Sequence, residues 1–240
     1  MTINRYDAKL SRDFQKSDYK PDKKYSFLPT ILGIIGDLEN KTALDLGCGD
    51  GFFTKALFFA GAKEVIGVDN SKEQLELAEG KKGEENITYS YCDIFQDPLP
   101  TSNITLSPFV ANYAEDRHKL EFLFRNIYEN LSENGRVIFV VDMPKNKNLK
   151  RFGSIKTILG KLVDGVKIKI DLYNEEEFIC TLYSYYYTPE TIEELLKKVG
   201  FKEMRWHKPK ISQEGIDKYG EKFWEGFTED SELGYLEAIK

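Results

Sequence analysis

The sequence is short of the residues that structural metal sites and disulfide frameworks need. It contains three cysteines, Cys48, Cys92 and Cys180, which are widely spaced and form no CxxC pair, and it has only two histidines. An odd number of distant cysteines argues against a disulfide framework, and the missing CxxC pairs argue against a zinc site. We therefore expect reduced cysteines and no metal.

Long apolar runs and an excess of basic residues are also missing. No stretch approaches the roughly 18 uncharged apolar residues of a membrane span. The first residues, MTINRYDAKLSRD, are polar and lack the apolar core of a signal peptide. The formal net charge is −6, which argues against wholesale binding of nucleic acid, since that function favours a basic face. We expect a cytoplasmic protein without a membrane segment, and the oligomeric state stays open.

What the sequence does contain is a regular alternation of short apolar strands and helices. The chain has 240 residues, 41% hydrophobic and 31% charged, which suits one α/β domain. The predicted strands lie at 42–46, 64–68, 88–92, 104–107, 136–141, 178–187, 201–207 and 234–239. Alternation of this kind predicts a mostly parallel sheet with helices on both faces.

The alternation is interrupted after residue 143. Residues 145–170 contain eight Lys or Arg residues against one Asp. Such a charge run has two interpretations. It is either the solvated surface of an insertion, which we favour, or a surface that attracts an anionic substrate or nucleic acid.

The strongest local signal is a glycine-rich turn after the first strand. Asp45 precedes Gly47, Gly49 and Gly51, and the next helix pattern begins at Phe52. Glycines let the backbone approach a ligand closely, and the helix start offers free N–H groups. The dinucleotide fingerprint would require a third glycine at position 52, which is Phe here, so the spacing speaks against a nucleotide-dependent oxidoreductase.

Two further carboxylates follow the second and third strands. Asp69 can accept hydrogen bonds from both hydroxyl groups of a ribose, and charge-assisted bonds are the stronger kind. Asp93 can accept from an adenine amino group, while Ile94 and Phe95 offer apolar contacts to the ring. Each acid alone could be a plain turn residue. Their order at consecutive strand ends predicts a ligand site, because ligands in open α/β sheets bind at the carboxyl ends of the strands.

Together, Asp45-x-Gly-x-Gly-x-Gly, Asp69, Asp93 and the segment Leu131-Ser-Glu-Asn-Gly135 resemble the class I S-adenosylmethionine-dependent methyltransferases. The resemblance implies a Rossmann-like, seven-stranded sheet with an antiparallel last strand in a single domain over residues 1–240. Residues 1–26 are expected to form an N-terminal helical lid, and residues 144–180 an inserted substrate cap.

A narrower resemblance links the chain to the toxoflavin-biosynthesis type of small-molecule N-methyltransferase. It is carried by Tyr6-Asp7, by residues 107–114 and by residues 206–224. The cofactor implied is S-adenosylmethionine, with S-adenosylhomocysteine as product. The expected cofactor residues are Tyr6, Asp45, Gly47, Cys48, Gly49, Asp69, Asn70, Asp93, Ile94 and Ser107. The expected walls of the acceptor pocket include Phe14, Phe109, Asn112 and Tyr113.

Methyl transfer from a sulfonium depends mainly on positioning, so few catalytic side chains are required. His207 is the one candidate base, and a structural role is the alternative for it. We expect transfer to nitrogen or oxygen of a small molecule. Two other functions stay open: methylation of RNA or protein, although Ser107-Pro108-Phe109-Val110 departs from the tetrad of amino methylation, and cofactor binding without catalysis.

Overall fold

The computed structural model describes residues 4, 6–83 and 86–240, and these contain two β-sheets. The strands are β1 Thr42–Leu46, β2 Glu64–Asp69, β3 Ile87–Tyr91, β4 Ser102–Pro108, β5 Leu131–Asp142, β6 Asn148–Leu149, β7 Ser154–Ile158, β8 Lys167–Asn174, β9 Glu177–Tyr185, β10 Glu203–His207 and β11 Leu233–Ile239. The α-helices are α1 Ala8–Gln15, α2 Leu28–Ile35, α3 Phe52–Phe59, α4 Lys72–Lys81, α5 Arg117–Asn130, α6 Pro189–Val199, α7 Gln213–Tyr219, α8 Glu221–Trp224 and α9 Phe227–Asp230. None of the helices in these ranges is long and apolar enough to span a lipid bilayer.

The larger sheet has seven strands in the order β10-β11-β5-β4-β1-β2-β3. Its pairs are parallel, except that β11 runs antiparallel to both β5 and β10. This confirms the expected Rossmann-like fold with an antiparallel last strand. The strand order reverses between β1 and β4, and such a switch point leaves a crevice at the carboxyl ends of the strands.

Alternation along the strands divides the core between the two faces of this sheet. In β5, Val137, Phe139 and Val141 pack in one apolar cluster with α5 and α6, whereas Ile138 and Val140 pack in a second cluster with α2 and α3. Successive side chains of a strand point to opposite faces, so a continuous apolar run is required where both faces are covered. The carboxyl ends of the strands are thereby held in a fixed array.

The smaller sheet is an insertion between β5 and α6, with antiparallel strands in the order β6-β7-β8-β9. We call it the inserted sheet. The sequence predicts only its last strand. Five of the eight basic residues in 145–170 are exposed, in agreement with a solvated surface, but Lys156 is buried with 5% of its surface exposed.

The described residues 4 and 6–27 form the N-terminal segment, which runs beside the inserted sheet. Asp7 caps α1 by accepting hydrogen bonds from the N–H groups of Lys9 and Leu10. A 3-10 turn at Lys16–Tyr19 and a π-helical turn at Lys23–Phe27 follow. Apolar side chains of this segment pack against the inserted sheet; they are Tyr6, Leu10 and Phe14. Residues 1–3 and 5 of the expected lid lie outside the described residues.

Candidate active site

A cavity of about 220 Å³ lies at the carboxyl edge of the seven-stranded sheet. It is lined by the ends of β1, β2, β4 and β5, by the N-terminal segment, by the inserted sheet and by the residues just before β11. Most of its lining is apolar and aromatic. The cavity is thus formed where sequence-distant parts of the chain meet above the switch point.

The glycine-rich turn forms one wall of the cavity. Gly47 and Gly49 have φ values of 63° and 54°, in the left-handed region that favours glycine. A Cβ atom on Gly47 would lie 2.8 Å from Cγ2 of Val110, so a side chain there would meet the turn after β4. Gly47, Cys48 and Gly49 all line the cavity, and α3 begins just beyond them at Phe52.

Asp69, at the end of β2, ties this turn to the next helix. Its Oδ2 accepts a hydrogen bond of 2.9 Å from the N–H of Gly49, and its Oδ1 accepts one of 2.8 Å from the N–H of Ser71. Burial raises the pKa of the Asp69 carboxyl, although those N–H bonds act in the opposite direction. A carboxylate has about four acceptor sites, so Asp69 retains capacity to accept from a ligand, and both Asp69 and Asn70 line the cavity.

Gln74 is a lining residue that sequence reasoning missed. The hydroxyl oxygen of Ser71 accepts a hydrogen bond from the backbone N–H of Gln74, as in a capping box. The side chain does not complete the box, because its Oε1 and Nε2 are buried without a partner among the described residues. An unpaired amide that lines a cavity provides one donor group and one acceptor for a ligand.

The structure does not bring three of the expected cofactor residues into the lining. Asp45 is fully buried, and its Oδ2 accepts a 2.6 Å bond from the hydroxyl of Thr54 while its Oδ1 has no described partner. Burial raises the pKa of Asp45 to about 7, although the Thr54 bond lowers it. Asp45 thus lies outside the lining, and its bond with Thr54 joins the end of β1 to α3.

Asp93 and Ser107 are the other two expected residues outside the lining. The Oδ1 of Asp93 accepts a hydrogen bond from the N–H of Phe95 at 3.1 Å, so the carboxylate stabilises the turn that follows β3. Ser107 is fully buried beneath the end of β4, and its hydroxyl has no described partner. In both places the following residues line the cavity instead: Ile94 and Phe95 after Asp93, and Pro108 and Phe109 after Ser107.

Four of the expected aromatic residues line the cavity together. The hydroxyl groups of Tyr6 and Tyr113 lie 2.9 Å apart, and the rings of Tyr6 and Phe14 meet edge to face at 5.6 Å. Phe109 joins them from the turn after β4. Tyr19, a further aromatic of the N-terminal segment, is 76% exposed and lies outside the lining.

Asn112 and His207 also lie outside the lining. Asn112 bridges two elements, because its Nδ2 donates to the carbonyl of Tyr185 at 2.8 Å and its Oδ1 accepts from the N–H of Asp142 at 3.0 Å. His207, on β10, has its Nε2 at 3.1 Å from Oε2 of Glu237. The expected pocket role of Asn112 becomes a structural one, and His207 has no access to the cavity from this position.

Around the carboxyl end of β5, the cavity lining contains buried charges that no motif indicates. Lys156 lies 2.6 Å from the Oδ1 of Asp142, and Lys20 lies 3.5 Å from Asp22. Burial raises the pKa of Asp22 and lowers the pKa of Lys20, and each charge partly offsets the shift of its partner. A fifth charged residue, Glu232, lines the same end and is 2% exposed.

Comparisons with known proteins agree with this architecture. Residues 37–178 match the family model described as a methyltransferase domain. An uncharacterised protein of Haemophilus influenzae is 34% identical over 124 residues, which is 48% of each chain. A ribosomal protein L11 methyltransferase of Legionella pneumophila is 34% identical over 82 residues, covering 31% of this chain and 28% of the relative. The chain thus spans about half or less of the length of these curated relatives.

The solved structures include an S-adenosylmethionine dependent methyltransferase from Mesorhizobium loti. It superimposes with a TM-score of 0.66 at 18% identity, and the match covers 93% of this chain and all of that one. At this identity the likeness establishes the fold alone.

Proposed function

The chain belongs to the methyltransferase domain family, and we propose that it transfers a methyl group from S-adenosylmethionine to a small-molecule acceptor. The observation that carries the proposal is the single cavity wall in which the glycine turn, Asp69 and Asn70, and Ile94 and Phe95 follow one another along β1, β2 and β3. These groups match the methionine, ribose and adenine parts of that cofactor in order.

The residues present fit this cofactor. Asp69 offers two carboxylate oxygens to the ribose hydroxyls, and the unpaired amide of Gln74 offers further polar contacts beside them. Gly47 and Gly49 keep the turn free of side chains, and Ile94 and Phe95 supply the apolar contact for a purine. When bound, S-adenosylmethionine supplies an electrophilic methyl group on a sulfonium. Aromatic faces such as Tyr6 and Phe14 suit a cation of that kind.

The chain's own residues contribute positioning and exclusion of water. The N-terminal segment acts as a lid and the inserted sheet as a cap, joined by the hydrogen bond from Asn4 Nδ2 to the Tyr183 carbonyl at 2.7 Å. The same Nδ2 donates to the hydroxyl of Tyr113, in the turn after β4, at 3.2 Å. Holding the acceptor atom in line with the methyl group lowers the barrier without a covalent intermediate. We assign no catalytic base.

A small acceptor suits the cavity better than a macromolecule does. The lining comes from three sides, namely the strand ends, the N-terminal segment and the inserted sheet, and such a concave, mostly apolar site is typical of small-molecule binding. The narrower likeness to toxoflavin-type N-methyltransferases belongs to this proposal, supported by Tyr6 and Tyr113 in the lining. So does the cytoplasmic location, supported by the three free cysteines.

The test begins with calorimetric titration of S-adenosylmethionine, S-adenosylhomocysteine and NAD. Micromolar binding of both adenosyl ligands, with none of NAD, supports the cofactor assignment, and binding of NAD alone overturns it. Formation of S-adenosylhomocysteine is then measured with cell extract divided by size. Turnover with the fraction below 3 kDa supports a small acceptor. Turnover only with the protein or RNA fraction contradicts it, and binding without turnover in any fraction supports the non-catalytic alternative.

A further inference from the structure

The acceptor end of the cavity is built from β5, the residues before β11, the inserted sheet and the N-terminal segment. Asp142 is the last residue of β5, and Glu232 stands directly before β11, whose first residue, Leu233, pairs with Asp142. Lys156 of β7 and Ser184 of β9 complete this end from the inserted sheet. The cofactor groups lie over β1 to β3, so these residues face the half of the cavity left for the acceptor.

The charges at this end do not cancel. Lys156 pairs with Asp142, whose Oδ2 also accepts a 2.9 Å bond from the hydroxyl of Ser184. Lys20 pairs with Asp22. Two lysines against three carboxylates leave one negative charge, and the carboxylate without a cationic partner in the described part of the chain is that of Glu232.

Only one of the two oxygens of the Glu232 carboxylate has hydrogen-bond partners in the described part of the chain. Its Oε1 accepts hydrogen bonds from the backbone N–H groups of Lys145, at 2.5 Å, and Lys147, at 3.0 Å. Its Oε2 is buried and has no hydrogen-bond partner within residues 4, 6–83 and 86–240. The Nζ of Lys156 binds the main-chain oxygen of Glu232 at 2.7 Å rather than its carboxylate. A buried carboxylate in this state is costly, and the unpaired buried oxygen of this lining residue needs a donor.

The remaining lining at this end is apolar and contains four aromatic rings. Phe27 and Phe109 face each other with ring centroids 6.2 Å apart, and Phe152 and Phe227 meet edge to face at 4.7 Å. All four line the cavity. A ligand that fills this space therefore needs an apolar or aromatic body together with one hydrogen-bond donor.

We propose that Glu232 is a specificity-determining residue that binds an amino group of the acceptor, so that the substrates of this enzyme are amines with an aromatic or apolar body. The inference rests on the proposed function. A positively charged N–H donor restores electrical neutrality at this end of the cavity and satisfies Oε2, whereas an anionic acceptor would add a second unpaired charge.

A purely structural role is the competing explanation, since Oε1 holds the backbone that follows β5. Glu232→Gln separates the two roles. The amide keeps an oxygen for the N–H groups of Lys145 and Lys147, but it removes the charge and replaces the free acceptor by a donor. Glu229→Gln is the matched control, because it removes the same charge from an exposed position of the same segment.

The experiment uses the full chain saturated with S-adenosylhomocysteine. Tyramine, tryptamine and histamine are titrated by calorimetry against their deaminated analogues 4-ethylphenol, 3-ethylindole and 4-ethylimidazole. We expect at least one amine to bind about tenfold more tightly than its analogue, as a charge-assisted bond in a buried site provides. The preference should fall to about twofold or less in Glu232→Gln and persist in Glu229→Gln.

Each outcome of this experiment either supports or overturns the inference. An amine preference that Glu232→Gln abolishes, in a variant that melts no lower than the wild type, supports the inference. No amine preference in any pair overturns it, and so does a preference that survives Glu232→Gln. Failure of the proposed function is a separate result, because it appears earlier as absence of S-adenosylhomocysteine binding to the wild type.

Discussion

The hydroxyl group of Tyr6 lies 2.9 Å from the hydroxyl group of Tyr113, so one hydrogen bond joins the N-terminal segment, two residues before α1, to the turn after β4. The bond crosses the cavity lining and links the N-terminal segment to the seven-stranded sheet. Burial raises the pKa of Tyr113 to about 12, so both hydroxyls stay protonated at neutral pH and can share this bond.

We predict that Tyr113→Phe loosens the N-terminal segment. The change removes one partner of the Tyr6 hydroxyl, and a bond of this kind contributes about 1 kcal/mol. Hydrogen exchange of the amides in 6–20 should become faster, and S-adenosylhomocysteine should bind several-fold more weakly. Tyr91→Phe is the control, since Tyr91 is exposed. Unchanged exchange in 6–20 would mean that this bond does not hold the segment.

Asp69→Ala should weaken binding of S-adenosylhomocysteine by about tenfold or more. The carboxylate is the proposed ribose acceptor, and it also holds the N–H groups of Gly49 and Ser71. Asp93→Ala is the comparison, because that carboxylate closes its own turn outside the lining. Calorimetry should show Asp93→Ala within about twofold of the wild type. Equal losses in the two variants would contradict the assignment of Asp93 to a turn.

Gly47→Ala should disrupt the glycine turn. Gly36 provides the matched control, because both glycines have a φ of 63° but a Cβ on Gly36 would meet nothing within 4 Å. Gly36→Ala should lower the free energy of unfolding by about 1–3 kcal/mol through backbone strain alone, because a φ of 63° with a ψ of −136° is open essentially to glycine only. Gly47→Ala should in addition reduce cofactor binding, because its Cβ meets Val110 at the cavity lining. Denaturant unfolding and calorimetry measure both effects, and equal behaviour of the two variants would refute the close contact.

The stability of the protein should depend on the protonation of Asp45. Burial raises its pKa from 3.8 to about 7, so the folded state holds a proton that the unfolded state releases. This contribution to stability is complete below pH 3.8 and is lost as the pH rises through 7. The free energy of unfolding of Asp45→Asn minus that of the wild type should therefore be about 3 kcal/mol larger at pH 8.5 than at pH 5.

Denaturant unfolding at the two pH values checks this prediction. Asp37→Asn, at an exposed position, serves as the control and should track the wild type at both. An Asp45→Asn difference that stays constant with pH would show that the carboxyl titrates normally.

The fold was predictable because its signals are local. Each strand that builds the switch point is a short apolar run, and the glycine turn follows β1 directly. Asp69 follows β2 in the same way and lines the cavity as expected. Asp93 and Ser107 show the limit of this reasoning, since one or two positions at a strand end decide whether a side chain enters the cavity or closes a turn.

The acceptor end could not be predicted because its members are far apart in sequence. Lys20, Asp142, Lys156 and Glu232 carry no shared spacing, and only the fold brings them to one end of the cavity. The inserted sheet could not be predicted for the same reason. Ile168 and Ile170 alternate with lysines as in an amphipathic strand, but the partner of their apolar face is the N-terminal segment, about 150 residues earlier.

The division of the cavity lining along the chain has a consequence for how such an enzyme changes over evolutionary time. The side chains assigned to the cofactor come from positions 47–95 together with Tyr6, while the acceptor end draws on positions 20–27, on Phe109 and on positions 142–184 and 227–233. Mutations in the second group can therefore alter substrate choice without changing the residues assigned to the cofactor. Libraries randomised at the second group alone should therefore yield new acceptor ranges on an unchanged cofactor-binding scaffold.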